Sequence, residues 1–377
     1  MKNISVIGLG KLGICFALTL EKQGYSVVGV DVSEDYIKKI NEKILVSPEP
    51  NVEYSLEQSK NLTATTEIKM AMDHSDVLFI FVATPSLPNG RYDHTQVDRT
   101  VKQLVQYTSP SNSKHIIIGC TTMPGYCDSV HKRLQSHGYT VSYNPEFIAQ
   151  GSVMSDLVSP DILLIGEGSV SAGDAIVEVY SSILENKPTI HRMSRKEAEI
   201  TKIALNCFLT TKIAFANMVG DIAKAAGCDS DIILSAIGSD DRIGNKYLKY
   251  GYGFGGPCFP RDNRAFDLFA NDVSIDAVIS KASDNANKLH LDFQVNELKK
   301  KYKKTEPIVF SDVAYKLGTN IIEESQKLAL AVELAELGYQ IVIKDTEEII
   351  SQIEDLYGNK FNYQKKYLDN NTVRRHH

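Results

Sequence analysis

Residues 3–13 read NISVIGLGKLG, and this stretch decides the fold. A short β-branched run enters a glycine turn, and an amphipathic run follows it. Gly8, Gly10 and Gly13 fit the pattern G-x-G-x-x-G in the strand-to-helix frame that makes it informative. Gly8 permits the tight turn, Gly10 lets the backbone approach a pyrophosphate, and Gly13 lets helix and strand pack closely. The N–H groups of the following helix then face the phosphates, where the helix dipole favours negative charge. A second strand, expected at 26–30, ends in Asp31, 18 residues beyond Gly13. A carboxylate there accepts hydrogen bonds from ribose hydroxyls and repels a 2′-phosphate, which selects NAD over NADP. A glycine triplet alone is as often a structural turn. Triplet, strand frame and terminal Asp together point to a dinucleotide site.

Outward from this unit, β-branched runs alternate with amphipathic stretches, the βαβ rhythm of a parallel sheet. The pattern predicts strands at 3–7, 26–30, 77–82, 115–118, 140–142 and 162–165, and helices at 12–23, 34–44, 97–106 and 127–136. The expected organisation is an α/β chain with a Rossmann-like dinucleotide-binding domain over 1–193. A central helical segment over 194–300 carries a long connecting helix from about 195 to 226. A C-terminal α/β domain over 301–377 contains a strand at 307–313, a helix at 323–337 and a strand at 340–343 leading to Asp345. The long helix is apolar on more than one side, through Ile200, Ile203, Ala204, Cys207, Phe208, Ile213 and Phe215. A helix of that kind must be covered on more than one side, so a subunit interface is expected. After Tyr363 the sequence turns polar, and a disordered tail is expected.

The bulk numbers narrow the class. With 377 residues, 43% hydrophobic and 23% charged, the chain has the composition of a globular protein of two or three domains. A formal net charge of −6 speaks against a nucleic-acid binder. No apolar run approaches about 18 uncharged residues, the length that suggests a membrane span. The opening residues lack a signal peptide's basic and apolar regions. Six scattered cysteines without a CxxC pair read as reduced thiols, neither a disulfide frame nor a metal site. A cytoplasmic enzyme is the expectation, with no membrane or nucleic-acid partner.

Residues 251–262, GYGFGGPCFPRD, carry the chemistry. Four glycines give a backbone that can approach a ligand closely, and Pro257 and Pro260 stiffen the turn around Cys258. The plain alternative is a surface loop with an idle thiol. G-x-G-G-x-C-x-P-x-D resembles the signature of the UDP-glucose/GDP-mannose dehydrogenase family, and other segments agree in chain order. Thr121-Thr122-Met123-Pro124 is similar to that family's S-T-x-P turn, and Asn144-Pro145-Glu146-Phe147-Ile148 to its N-P-E-F-L. Glu199, Lys202 and Asn206 match E-x-x-K-x-x-x-N, and Asp241-Arg242-Ile243-Gly244 is similar to the D-D-R-I-G of some members.

The resemblance implies two successive hydride transfers to NAD, from a nucleotide sugar's primary alcohol through an aldehyde to an acid. Cys258 would attack the aldehyde, since a thiolate readily forms the tetrahedral adduct that hydride loss needs. Lys202 and Asn206, one helical turn apart, would stabilise the oxyanion and position water. Asp262 would act through a bound water as base for the first oxidation, with Thr122 holding that water. Glu146 would activate water against the thioester. The same resemblance adds Lys11, Leu12, Thr84, Thr122 and Arg261 to the cofactor site. It assigns Glu146, Phe147, Ile148, Gln150, Tyr247–Gly251, Gly255 and Lys316 to the sugar nucleotide. Arg242 would reach a neighbouring subunit's site in a homodimer. UDP-glucose is the first substrate expected.

Three features depart from that pattern. Gln150 stands where many members carry a second Glu, and an amide cannot accept water's proton as a carboxylate does. Glu323 stands where an Arg usually approaches NAD. The C-terminal domain reads as shortened, with about 32 residues, largely polar, beyond Asp345, and a sheet edge left uncovered. Two alternatives stay open: a two-electron dehydrogenase of the β-hydroxyacid type, and a weakly active or non-catalytic relative that only binds a sugar nucleotide.

Overall fold

A computed structural model describes residues 2–107, 113–148 and 150–366. The chain divides into two compact units, residues 1–202 and 203–377.

The first unit runs β1 (Asn3–Ile7), α1 (Lys11–Lys22), β2 (Ser26–Val30), α2 (Glu34–Asn41), α3 (Val52–Gln58), β3 (Leu62–Thr65), α4 (Ile68–His74) and β4 (Val77–Ile80). It continues through α5 (Thr95–Gln106), β5 (Lys114–Ile118), α6 (Tyr126–Leu134), β6 (Tyr139–Tyr143), α7 (Val153–Val158), β7 (Ile162–Gly166), α8 (Val170–Ile183) and β8 (Thr189–Met193). Eight strands form one sheet in the order β3-β2-β1-β4-β5-β6-β7-β8. Every neighbouring pair is parallel except β6 with β7. The order reverses between β1 and β4, and ligands of such sheets bind at the carboxyl ends of the strands there. Both sheet faces are covered, so the central strands are buried almost throughout. Ile4, Val6, Phe16, Leu18 and Phe79 pack on one face, and Ile7, Leu78, Ile80, Ile116 and Ile118 on the other.

β1 and β2 stand where the alternation places them. The expected helix at 34–44 stops at Asn41, because Lys43 takes a left-handed φ of 58° that no helix continues through. The strand expected to reach residue 82 ends at Ile80. β3 and β8 were not expected: LTAT is short and half polar, and TIHRM is a largely exposed edge. Nor were α3, α4, α7 and α8.

α9 (Arg195–Ala225) belongs to both units in turn. Among the described helices it is the one long and apolar enough to cross a membrane. Yet Glu199, Lys202, Asn206, Thr210 and Asn217 along it are all buried, and their hydrogen bonds (below) are those of a helix packed inside the protein.

The second unit continues with α10 (Ser230–Gly238), α11 (Phe259–Asp272) and α12 (Val278–Lys301). Then come β9 (Ile308–Ser311), α13 (Gln326–Glu336), β10 (Ile341–Asp345), α14 (Glu347–Tyr357) and β11 (Asn362–Lys365). The three strands are parallel, in the order β11-β10-β9, and pack on α13 and α14 through Phe310, Leu330, Leu334, Ile343 and Ile353. The helix expected from 323 starts at Gln326, because the Ser325 hydroxyl caps it by accepting the Leu328 N–H at 3.2 Å. The stretch past Asp345, expected to be largely polar, forms α14 and β11. Thr346 caps α14, whose buried face is Ile349, Ile350 and Ile353. Order persists past Tyr363, through β11. The remainder of the expected tail, 367–377, lies outside the described residues.

One device occurs in both units. The Asp31 carboxylate, at the end of β2, accepts the Leu9 N–H of the loop after β1 at 3.0 Å. The Asp345 carboxylate, at the end of β10, accepts the Val313 N–H of the loop after β9 at 2.7 Å.

Candidate functional site

The glycine loop is a cradle held open on one side. Gly8 has φ +89°, and a Cβ there would lie 2.6 Å from the Phe81 carbonyl oxygen. A Cβ on Gly13 would lie 1.9 Å from the Gly8 carbonyl oxygen. At Gly10 a Cβ would meet nothing within 4 Å, so the space before the amino end of α1 is clear. The second oxygen of Asp31 accepts the Ser33 N–H at 3.2 Å. No acidic residue stands in the first turn of α1. These residues fit a dinucleotide: glycine backbone and helix N–H groups for the pyrophosphate, Asp31 for the ribose. Lys11, exposed at the start of α1, donates to the Gln150 amide oxygen at 3.3 Å, and Leu12 beside it is partly buried. Thr84 donates to the Thr121 carbonyl at 2.8 Å, tying the loop after β4 to the turn after β5.

That turn is organised by a residue that sequence reading quoted without assigning a role. The fully buried Glu199 carboxylate accepts the Thr122 hydroxyl at 2.8 Å, the Cys127 N–H at 2.8 Å and the Gly125 N–H at 2.6 Å. It therefore satisfies amino-terminal N–H groups of α6 from α9. Thr122, expected to hold a water, is itself fully buried and donates its hydroxyl hydrogen bond to Glu199. The sequence signal was available: a Glu one turn before Lys202 on an apolar helix.

Glu146, Phe147 and Lys202 come together. The Lys202 ammonium, 8% exposed, donates to the Glu146 backbone carbonyl at 2.7 Å and lies 4.3 Å from the Phe147 ring centre. The Glu146 carboxylate turns to the hydroxyl of Tyr180 on α8. Burial pushes the Glu146 carboxyl up to about 7, while the Tyr180 hydrogen bond and the Lys202 charge hold it from rising further. Ile148 packs against the apolar cluster of Phe16 and Leu18. Tyr180 was invisible to sequence reading, since nothing local distinguishes it. The buried Glu49 carboxylate holds the Gly151 N–H at 2.9 Å, fixing the loop beyond Gln150.

In the second unit, the Asn206 amide donates to the Asp262 carboxylate at 2.6 Å. Asp262 is fully buried, and its other oxygen accepts from the Arg261 guanidinium at 3.2 Å. Cys258 stands one turn before Asp262, at the cap position of α11, with its carbonyl accepting the Asp262 N–H at 2.8 Å. Its side chain is exposed, whereas burial pushes the Cys15 and Cys207 thiols up to about 12 and Cys127 far above the usual thiol range. A thiol at a helix amino end meets N–H groups and a dipole that favour negative charge.

Around it, Tyr247 takes φ 61° and stands edge-on to Phe259 at 6.2 Å. A Cβ on Gly255 would lie 2.2 Å from the Glu324 carbonyl oxygen, so only glycine fits there. Gly251 is held by side chains of α9 and α12, which sequence reading missed. Lys316 is exposed. Glu323 is exposed too, and its neighbour Glu324 pairs with Arg264. The Arg242 side chain, expected to reach another subunit, is 88% exposed and pairs with Asp240 at 2.7 Å.

Two domain descriptions of one family match the chain. The NAD binding domain of the UDP-glucose/GDP-mannose dehydrogenase family matches residues 2–184, and that family's central domain matches residues 196–289. The chain is 30% identical to a GDP-mannose 6-dehydrogenase of Pseudomonas aeruginosa, over 91% of this chain and 81% of that protein. It is 28% identical to a UDP-glucose 6-dehydrogenase of Haloferax volcanii, over 94% of this chain and 86% of that protein. A solved UDP-glucose dehydrogenase structure from Pyrobaculum islandicum superposes with a TM-score of 0.88 at 28% identity, covering 97% of this chain and 86% of that one.

Proposed function

The chain belongs to the UDP-glucose/GDP-mannose dehydrogenase family, and from this we propose that it oxidises the C6 alcohol of a UDP-sugar to a carboxylate through a thioester on Cys258. It is an NAD-dependent oxidoreductase acting on a CH–OH group of a nucleotide sugar; the four-electron course and UDP-glucose as substrate are the proposed part. The observation that carries it is the exposed Cys258 at the amino end of α11, one turn before an Asp262 held by Asn206 at 2.6 Å.

NAD, when bound, accepts a hydride in each of the two oxidations. The chain's own groups manage protons and sulfur. The Asp262 carboxylate, reaching the alcohol through a water, takes the proton released in the first oxidation. The Cys258 thiolate adds to the aldehyde carbon and gives a hemithioacetal, whose oxyanion Lys202 and Asn206 stabilise as donors. After the second oxidation the carbonyl carbon is bonded to sulfur. A water attacks it, giving its proton to Glu146, and the thiolate leaves. A carboxyl near 7 both takes and returns a proton at neutral pH, which suits this base, and with Gln150 replacing a second carboxylate Glu146 acts alone.

A homodimer is also proposed. Phe208, Phe215 and Ile222 recur every seventh residue along α9 and are 65%, 44% and 61% exposed, with Met218 between them. Such a stripe suits a second copy of the same helix.

The test is incubation with NAD and a panel of UDP- and GDP-sugars, reading NADH per sugar and the mass of product and protein. Two NADH per sugar with an acid product supports the proposal. One NADH with an aldehyde or ketone product overturns it in favour of two-electron chemistry.

A further inference from the structure

The glycine loop leading to Cys258 takes its shape from side chains of two helices. Asn217 on α9 accepts the Gly251 N–H at 3.0 Å and donates to the Tyr252 carbonyl at 3.2 Å. Asn287 on α12 accepts the Phe254 N–H at 2.9 Å and donates to the Phe254 carbonyl at 2.9 Å. Each amide thus imitates the paired donor and acceptor of a neighbouring strand. The Gly251 carbonyl accepts from His290 Nε2 at 2.7 Å and from the Gln294 amide at 3.1 Å. His290 is 2% exposed, and its Nδ1 lies 2.8 Å from the Asp221 carboxylate. The Tyr250 hydroxyl donates to that carboxylate at 2.9 Å.

The spacing makes this a built clamp. Asn217 and Asp221 lie one turn apart on α9, while Asn287, His290 and Gln294 follow the i, i+3, i+7 row of α12. The loop fits the grip sterically too. A Cβ on Gly253 would lie 2.2 Å from the Asn287 amide oxygen, and a Cβ on Gly220 of α9 would lie 1.9 Å from the Tyr250 ring. A glycine-rich segment loses more conformational freedom on ordering than any other. Its backbone groups must be bonded for it to hold one shape.

We propose that Asn217 and Asn287 are positioning residues for the dehydrogenase reaction: through the loop backbone they set where Gly251, Gly255 and the Cys258 thiol stand against the nucleotide sugar. This rests on the proposed role of Cys258 and of the loop in substrate binding. Neither asparagine need touch substrate. A reacting group misplaced by about 1 Å can cost on the order of 100-fold in rate, which is the sensitivity such a clamp answers.

The test uses Asn217→Asp and Asn287→Asp in the full chain. Each keeps shape and acceptor but turns the donor that faces a carbonyl into an oxygen. Asn296→Asp, at an exposed position of α12, is the control. The expected result is a loss of about 100-fold in kcat/KM for the nucleotide sugar, with KM rising, NAD affinity unchanged and the melting temperature kept within a few degrees. Iodoacetamide labelling read by mass spectrometry should show a changed rate at Cys258 and an unchanged rate at the exposed Cys228. Native kcat, KM and Cys258 labelling in both variants would overturn the proposal. So would a fall in melting temperature with faster labelling of both cysteines, which marks general loosening. The labelling arm needs no turnover, so it separates failure of the clamp from failure of the thioester chemistry.

Discussion

Asn206 and Asp262 form a buried hydrogen bond of 2.6 Å between α9 and α11. The amide donor fixes the orientation of that carboxylate between the two helices. Asp262→Asn replaces an acceptor by a second amide and removes the acceptor for the alcohol proton. The first-turnover NADH burst should slow by about 100-fold or more, with NAD affinity within twofold of native. A burst at the native rate would remove Asp262 from the chemistry.

Cys258→Ser keeps the loop and α11 but replaces the thiol by a hydroxyl that ionises far less readily. Acid formation should fall below detection in product mass spectra. Acid at the native rate would exclude the covalent route.

The pH dependence follows from Glu146. Its carboxyl, ordinarily near 4.5, is pushed up to about 7 by burial, and it acts as a base only when ionised. Acid formation should therefore climb through pH 7 and level above it. Tyr180→Phe removes a hydrogen bond that favours the ionised form, so the climb should move to higher pH. Superimposable profiles would show that Tyr180 does not govern Glu146 during turnover.

The exposed stripe on α9 gives a readout in solution. Phe215→Glu places a charge in its middle, and sedimentation should then show a dimer converted to monomer. A native chain that sediments as a monomer at micromolar concentration would refute the homodimer.

Asp31→Ala removes both the ribose acceptor and the charge that repels a 2′-phosphate. Calorimetric titration should show the preference for NAD over NADP reduced by about tenfold or more. An unchanged preference would place selectivity elsewhere.

How far the sequence could be read depended on the range of the interaction concerned. β1 and β2 declare themselves because a buried parallel strand is a local apolar run. β8 does not, being an exposed edge whose pairing with β7 is set by the sheet. In the site, Cys258, Lys202 and Asp262 were legible from motifs. Asn217, Asn287 and His290 were not, because their loop partners lie 33 to 39 residues away and no spacing announces them. Thr122 shows the same limit: its type and place were legible, but the acceptor of its hydrogen bond was not.

The paired carboxylates of Asp31 and Asp345 bear on attempts to redirect cofactor use. Asp345 grips the Val313 amide in a loop that has no glycine triplet, so the grip is a fastening of the βαβ turn in its own right. Asp31 does that job at Leu9 as well as offering itself to a ribose. A redesign for phosphorylated dinucleotides that swaps Asp31 for a small or basic residue therefore unpins the turn beneath the pyrophosphate. A neutral acceptor such as Asn at that position, with a basic residue placed further along the loop, is the route that leaves the turn fastened.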